Sequence, residues 1–134
     1  MVVINGNIGQ GKSYLVKEIA NKVLEKCLYK EGVIFNDLRE IDSIETAISL
    51  INHREKFLSF QKVSENKLEN LNIEKMVQKV VENLRDKEVL LIFDNIDSLL
   101  LNSSDRFSEL LHYLLSNALK IKILVTGFSN FEDV

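Results

Sequence analysis

The sequence contains no proline, no tryptophan and a single cysteine, and each shortage narrows what the chain can be. One cysteine cannot form an internal disulfide, which fits a reducing compartment. No apolar run approaches the roughly 20 residues that a membrane span needs; the longest are of the kind VLLIF at 89–93. The formal net charge is −3, with no local basic stripe, so direct contact with nucleic acid is not expected. We expect a cytoplasmic protein that binds no membrane.

Glycine is also scarce, yet three of the five glycines lie within six residues, in the stretch GNIGQGKS from Gly6 to Ser13. Glycine is costly in regular structure and is kept where the backbone needs unusual torsions or a very close approach. The spacing matches the phosphate-binding (Walker A) pattern G-x-x-x-x-G-K-[ST]. The stretch therefore predicts a loop that holds a phosphate group.

Apolar residues alternate along the chain between short continuous runs and helical stripes with a period of about 3.6 residues. The runs predict strands at 2–4, 33–35, 89–93 and 121–125, of which the first is expected to be buried. The stripes predict helices from Lys12, near Asp42, at 73–84 and around 107–118. The first stripe continues to Cys27, which we therefore expect to pack in the core. Asp42, followed by Glu45, is typical of a capping box. Strands alternating with helices predict a parallel sheet, with the glycine loop between a strand and a helix.

A glycine-rich loop can present backbone N–H donors to a phosphate because its glycines have no side chains in the way. Backbone N–H groups near Gly9 and Gly11 can converge on a phosphate, and the following helix adds its dipole. Lys12 is expected to reach the β- and γ-phosphates, and the Ser13 hydroxyl to ligate Mg²⁺. The predicted binding residues of this loop are Gly6, Asn7, Ile8, Gly9, Gln10, Gly11, Lys12, Ser13 and Tyr14.

The second element of the predicted site is the segment LLIFDN at 90–95, which contains an acidic residue. A buried strand that ends in an acid presents its carboxylate at the edge of the sheet where ligands of open α/β sheets bind. Asp94 is therefore predicted as a Walker B residue and Mg²⁺ partner, with a turn or capping aspartate as the alternative. Asn95 follows it and cannot act as a base. Asp97 is the remaining candidate for a catalytic carboxylate beside Lys12 and Asp94, with helix capping as its alternative role.

Four segments taken in order, GNIGQGKS, VIFNDLREIDSIETAISLI, LLIFDNID and ILVTG, resemble the ATPase core of the STAND class, especially its NB-ARC (AP-ATPase) branch. The resemblance spans nearly the whole chain and includes Asp37-Leu38-Arg39 at the end of the second strand. It implies a three-layer α/β P-loop NTPase fold, with strand order 1-4-3-2 and helices on both faces. It also implies one nucleotide-binding domain over residues 1–134, without the helical and winged-helix modules that usually follow.

The function that the resemblance implies is a signalling switch that holds ADP at rest and ATP, with Mg²⁺, when it assembles. Protein partners, or self-association governed by the nucleotide, are expected. Thr126 matches the polar sensor of the fourth strand, but Gly127 and Phe128 stand where the family usually has a sensor arginine. With Asn95 also in place of a second carboxylate, we expect slow or absent hydrolysis.

Three other functions remain open from the residues alone. One is another P-loop ATPase of the AAA or origin-recognition type. A second is a nucleoside-kinase-like phosphotransferase, which GNIGQGKS also resembles, although such enzymes need an arginine-rich lid that the residues after the last strand do not provide. The third is an interaction domain that keeps the fold without nucleotide function.

Overall fold

The computed structural model describes residues 1–5, 11–55 and 73–127, within which strands and helices alternate. Their bounds are β1 Val2–Asn5, α1 Lys12–Glu25, β2 Val33–Asp37, α2 Ile44–Glu55, α3 Ile73–Leu84, β3 Leu90–Asp94, α4 Asp97–Asn117 and β4 Lys122–Gly127. Every predicted strand is present, with bounds that differ from the prediction by one or two residues.

The four strands form one parallel sheet in the order β1-β4-β3-β2, which confirms the predicted topology. β3 is buried along its whole length, as its unbroken apolar run predicts for a strand covered on both faces. β1 lies at the edge of the described sheet. Val2 and Val3 are 60% and 36% exposed there, so the expectation that this strand is buried was wrong for these two residues.

Helices cover both faces of the sheet. On one face, Val16, Ala20 and Val23 of α1 pack against Leu90, Ile92 and Leu124. On the other face α2, α3 and α4 bury a larger core, in which the rings of Phe93 and Phe107 meet edge to face with centroids 5.5 Å apart. Alternate β3 side chains thus point to opposite layers, and the predicted three-layer architecture is confirmed.

Two local predictions were wrong. α1 ends at Glu25, and Cys27 follows with a φ of 50° and an exposed side chain, because the left-handed turn carries it off the helical face. The cap of α2 is one residue later than predicted. The hydroxyl of Ser43, not the carboxylate of Asp42, accepts the backbone N–H of Thr46 at 3.3 Å, because helical hydrogen bonding begins at the Ser43 carbonyl.

The longest of the described helices, α4, is bent. Ser103 has φ −147° and ψ 35°, outside the helical region, and Leu99 before the bend and Phe107 after it are buried in the same core. In the described ranges, no helix is long and apolar enough to cross a membrane.

The two ends of α4 offer a matched test of the core. Leu114 is 0% exposed and Leu101 is 86% exposed, on the same helix. Leu114→Ala should lower the free energy of unfolding by about 2–5 kcal/mol because it leaves a cavity. Leu101→Ala should change it by no more than about 0.5 kcal/mol. Urea denaturation of both variants measures the difference, and equal costs would contradict the packing of α4 against the sheet.

Candidate functional site

The carboxyl ends of the parallel strands meet at one edge of the sheet, and the first turn of α1 faces it. β3 ends there at Asp94 and β4 at Gly127, while β2 ends at Asp37, directly opposite Asp94 in register. In α/β sheets this edge is the usual place for a ligand. Residues far apart in sequence are therefore brought to the same place.

The Asp94 carboxylate lies at the centre of this edge and is 2% exposed. The hydroxyl of Ser13 donates to Oδ2 at 2.9 Å, and the hydroxyl of Thr126 donates to Oδ1. A buried carboxylate is tolerated only when such donors replace its hydration. Asp94 thus joins α1, β3 and β4.

Asn95 completes this cluster. Its φ of 61° turns the chain out of β3, and its backbone N–H donates to the Thr126 hydroxyl at 3.0 Å. The next N–H, of Ile96, donates to the Thr126 carbonyl, also at 3.0 Å. The Asn95 side-chain amide reaches Ser13 Oγ at 3.5 Å. Asn95 therefore supports both residues that donate to Asp94, Ser13 through its side-chain amide and Thr126 through its backbone N–H.

The amino-terminal end of α1 begins at a glycine and presents backbone N–H groups that suit an anion. Gly11 precedes the helix with a φ of 74°, a left-handed conformation that strains other residues, and it has no side chain that could cap the helix. Its carbonyl accepts the N–H of Leu15 at 2.9 Å. The first N–H groups of the helix, together with its dipole, favour a negatively charged ligand at this end.

Of the predicted site residues, Ser13, Asp94 and Thr126 come together in one hydrogen-bonded cluster. Tyr14 lies in the same turn of α1 and is 72% exposed. Asp97 is the first residue of α4, and its side chain is half-buried. The predictions for Gly6, Asn7, Ile8, Gly9 and Gln10, and for the side chain of Lys12, fall outside the described residues.

An ion pair at the end of β2 was given no role by the sequence reasoning. The Arg39 guanidinium contacts both carboxylate oxygens of Asp37, with Nη2 at 2.7 Å from Oδ2 and Nε at 3.2 Å from Oδ1. This side-chain hydrogen bonding lowers the pKa of the Asp37 carboxyl, and a hydrogen bond from Asn95 adds a smaller contribution. The pair is therefore formed at neutral pH and is lost as the pH falls through that lowered pKa. The sequence signal was a charged Asp-x-Arg directly after a predicted strand.

The strand order, the helix that begins at the glycine loop and the acid at the end of β3 together define a P-loop NTPase fold. The family model described as the NACHT domain matches residues 1–127. This chain therefore belongs to the NACHT domain family, which consists of nucleotide-binding NTPase domains of the STAND type. The matching model is NACHT, so the match identifies the STAND class and not the NB-ARC branch in particular. No individual curated protein matches the chain significantly.

NACHT domains bind nucleotide, typically with Mg²⁺. The donors gathered here suit that ion, because a serine hydroxyl and a carboxylate are hard oxygen ligands and Mg²⁺ is usually held by one or two protein groups plus phosphates. Ser13 and Asp94, with their oxygens 2.9 Å apart beside the helix terminus, could hold it. The described residues of the site therefore fit the metal.

The hydroxyl of Thr126 can be tested without changing the shape of its side chain. Thr126 is 0% exposed, so Thr126→Val should remove the donor to Asp94 Oδ1 and the acceptor of the Asn95 N–H, while Ser13 still donates to Asp94 Oδ2. We expect the free energy of unfolding to fall by about 1–3 kcal/mol. The control is Thr46→Val. The hydroxyl of Thr46 is half-buried and pairs with that of Ser43, so its loss should lower the free energy of unfolding by less. Urea denaturation compares them, and a smaller loss for Thr126→Val would contradict the role of this hydroxyl.

Proposed function

We propose that this chain is the ATP/ADP-binding switch domain of a STAND-type signalling ATPase. In this proposal ADP occupies the site at rest, ATP with Mg²⁺ occupies it in an assembling state, and hydrolysis is slow. The observation that carries it is the contact between Ser13 and Asp94, which are 81 residues apart in sequence. Their hydroxyl and carboxylate meet at the terminus of α1, where membership of the NACHT family leads us to expect the nucleotide phosphates.

Each residue of the site has a role in this proposal. The loop from Gly6 to Gly11 surrounds the phosphates with backbone N–H groups, and Lys12 neutralises the β- and γ-phosphates. Ser13 and Asp94 would hold the Mg²⁺ ion, which would neutralise negative charge on the phosphates. Thr126 couples β4 to the metal site, because it lies on β4 and its hydroxyl donates to the Asp94 carboxylate.

Slow hydrolysis follows from the position of Asn95. A second carboxylate after the acid strand would orient or deprotonate the attacking water, but an amide cannot accept that proton. Here the amide and the backbone N–H of Asn95 are used to support Ser13 and Thr126. Asp97 is the remaining acidic candidate, and we propose that it supplies at most a weak base.

A slow NTPase suits a switch because each nucleotide state then lasts long enough for a partner to bind to it. We propose that protein partners, or a second copy of the same domain, read it in the cytoplasm. The hydrogen bonds from Thr126 to Asp94 and Asn95 link the end of β4 to the metal ligands. They offer a route by which the chain that follows β4 would sense the nucleotide.

Nucleotide binding is tested by calorimetry with ADP and ATP, with and without Mg²⁺. Lys12→Ala should weaken binding by at least about 2 kcal/mol, because a charge-assisted phosphate contact is lost. Asp94→Asn should reduce the Mg²⁺-dependent affinity for ATP while largely sparing metal-free ADP binding. The control is Lys17→Ala, which removes an exposed lysine from the same helix. Equal affinities in the Lys12 and Lys17 variants would overturn the proposal.

Turnover is tested in a single-turnover assay with protein in excess over labelled ATP. We expect a rate well below about 1 s⁻¹, the lower end of the range for kinases. An arginine supplied in trans can contribute roughly 10³–10⁵ in rate and a positioned base about 10²–10⁴, and neither is provided by the residues directly after Asp94 and Thr126. Faster turnover that disappears in Lys12→Ala would show an additional catalytic group, and Asp97→Asn is the variant that would identify it.

A further inference from the structure

The ion pair between Asp37 and Arg39 lies beside the centre of the site. Asp37 stands opposite Asp94 in the parallel register of β2 and β3, and the N–H of Leu38 donates to the Asp94 carbonyl at 2.8 Å. Asp37 has the same parity along β2 as Val33 and Phe35, which pack toward α1. Asp94 has the same parity along β3 as Leu90 and Ile92, which also pack toward α1. The two carboxylates are therefore neighbours on the face of the sheet where Ser13 lies.

Arg39 interacts electrostatically with both carboxylates at this edge of the sheet. Its own pKa is raised chiefly by its hydrogen bonds with Asp37, and the charge of Asp94 adds to the effect. Asn95 is a second connection, since its side-chain amide reaches Ser13 Oγ at 3.5 Å and contributes to the lowered pKa of Asp37. The contacts with Asp37 place the guanidinium near the end of β2.

The pair is not needed to hold the fold. The Arg39 side chain is 71% exposed and that of Asp37 is 36% exposed. Exposed ion pairs contribute only about 0–1 kcal/mol, so Arg39 can leave Asp37 at little cost. A polyphosphate bound next to Asp94 would carry more negative charge than one carboxylate. A guanidinium also suits phosphate oxygens well, because it donates two parallel hydrogen bonds.

We propose that Arg39 leaves Asp37 to bind the terminal phosphate of a nucleoside triphosphate, and so distinguishes the triphosphate from the diphosphate. This inference rests on the proposed function. Arg39, at the end of β2, would then take the role of the sensor arginine, which is absent after Thr126 because Gly127 and Phe128 follow. Asp37 then acts as a competing partner that holds Arg39 when only the diphosphate is bound.

The test is the ratio of affinities for ADP and for a non-hydrolysable ATP analogue, both with Mg²⁺, measured by calorimetry. Arg39→Ala should reduce the preference for the triphosphate about 10-fold or more while leaving ADP affinity nearly unchanged, as expected for loss of a hydrogen bond to a charged group. Arg39→Lys keeps the charge without the planar fork and should retain only part of the preference.

Asp37→Asn should have the opposite effect and increase the preference for the triphosphate, because it removes the competing carboxylate. The increase must vanish when Arg39→Ala is also present, since Asp37 acts only through Arg39. An increase that persists in the double variant would mean that Asp37 merely repels phosphate, and it would overturn the exchange of partners.

Arg106→Ala is the matched control. Arg106 pairs with Glu45 at 3.2 Å, and the two side chains are 59% and 36% exposed, close to the values for Arg39 and Asp37. If Arg39→Ala and Arg106→Ala give the same ratio while Lys12→Ala abolishes binding, the role of Arg39 is overturned and the proposed function stands. If Lys12→Ala binds both nucleotides as the unsubstituted chain does, the proposed function itself fails.

Discussion

The buried carboxylate of Asp94 is the constraint on which the rest of the site depends. A charged group at 2% exposure needs hydrogen-bond donors in place of water, and it obtains them from Ser13 on α1 and Thr126 on β4. These donors fix the start of α1 against the centre of the sheet. They also fix β4 beside β3, so the geometry of the site and the order of the strands support each other.

The same edge shows how few positive charges the described site contains. Apart from Lys12, whose side chain is outside the described part of the chain, the cation next to Asp94 is Arg39, and Asp37 holds it. A ligand with several negative charges can then compete for the arginine, which gives the site a preference based on charge.

Asn95 shows how binding and catalysis are separated in this chain. In a fast ATPase the position after the acid would carry a proton acceptor, but here it carries an amide that reaches Ser13, while the backbone N–H of Asn95 donates to Thr126. The site is thus built to hold its ligands in a fixed arrangement. In the switch that we propose, this property would matter more than turnover, because the lifetime of the bound nucleotide would set the lifetime of the signal.

The sequence by itself determined the class of the fold and the central residues of the site. Apolar periodicity gave the alternating strands and helices, and the motifs selected Ser13, Asp94 and Thr126, because a loop pattern and an unbroken buried strand are local properties. It misplaced Cys27, since a left-handed turn interrupts a stripe that continues in sequence. It also gave no role to Arg39. Only the tertiary structure decided that the end of β2 lies in register with Asp94, because the pairing of parallel strands joins residues more than 50 positions apart.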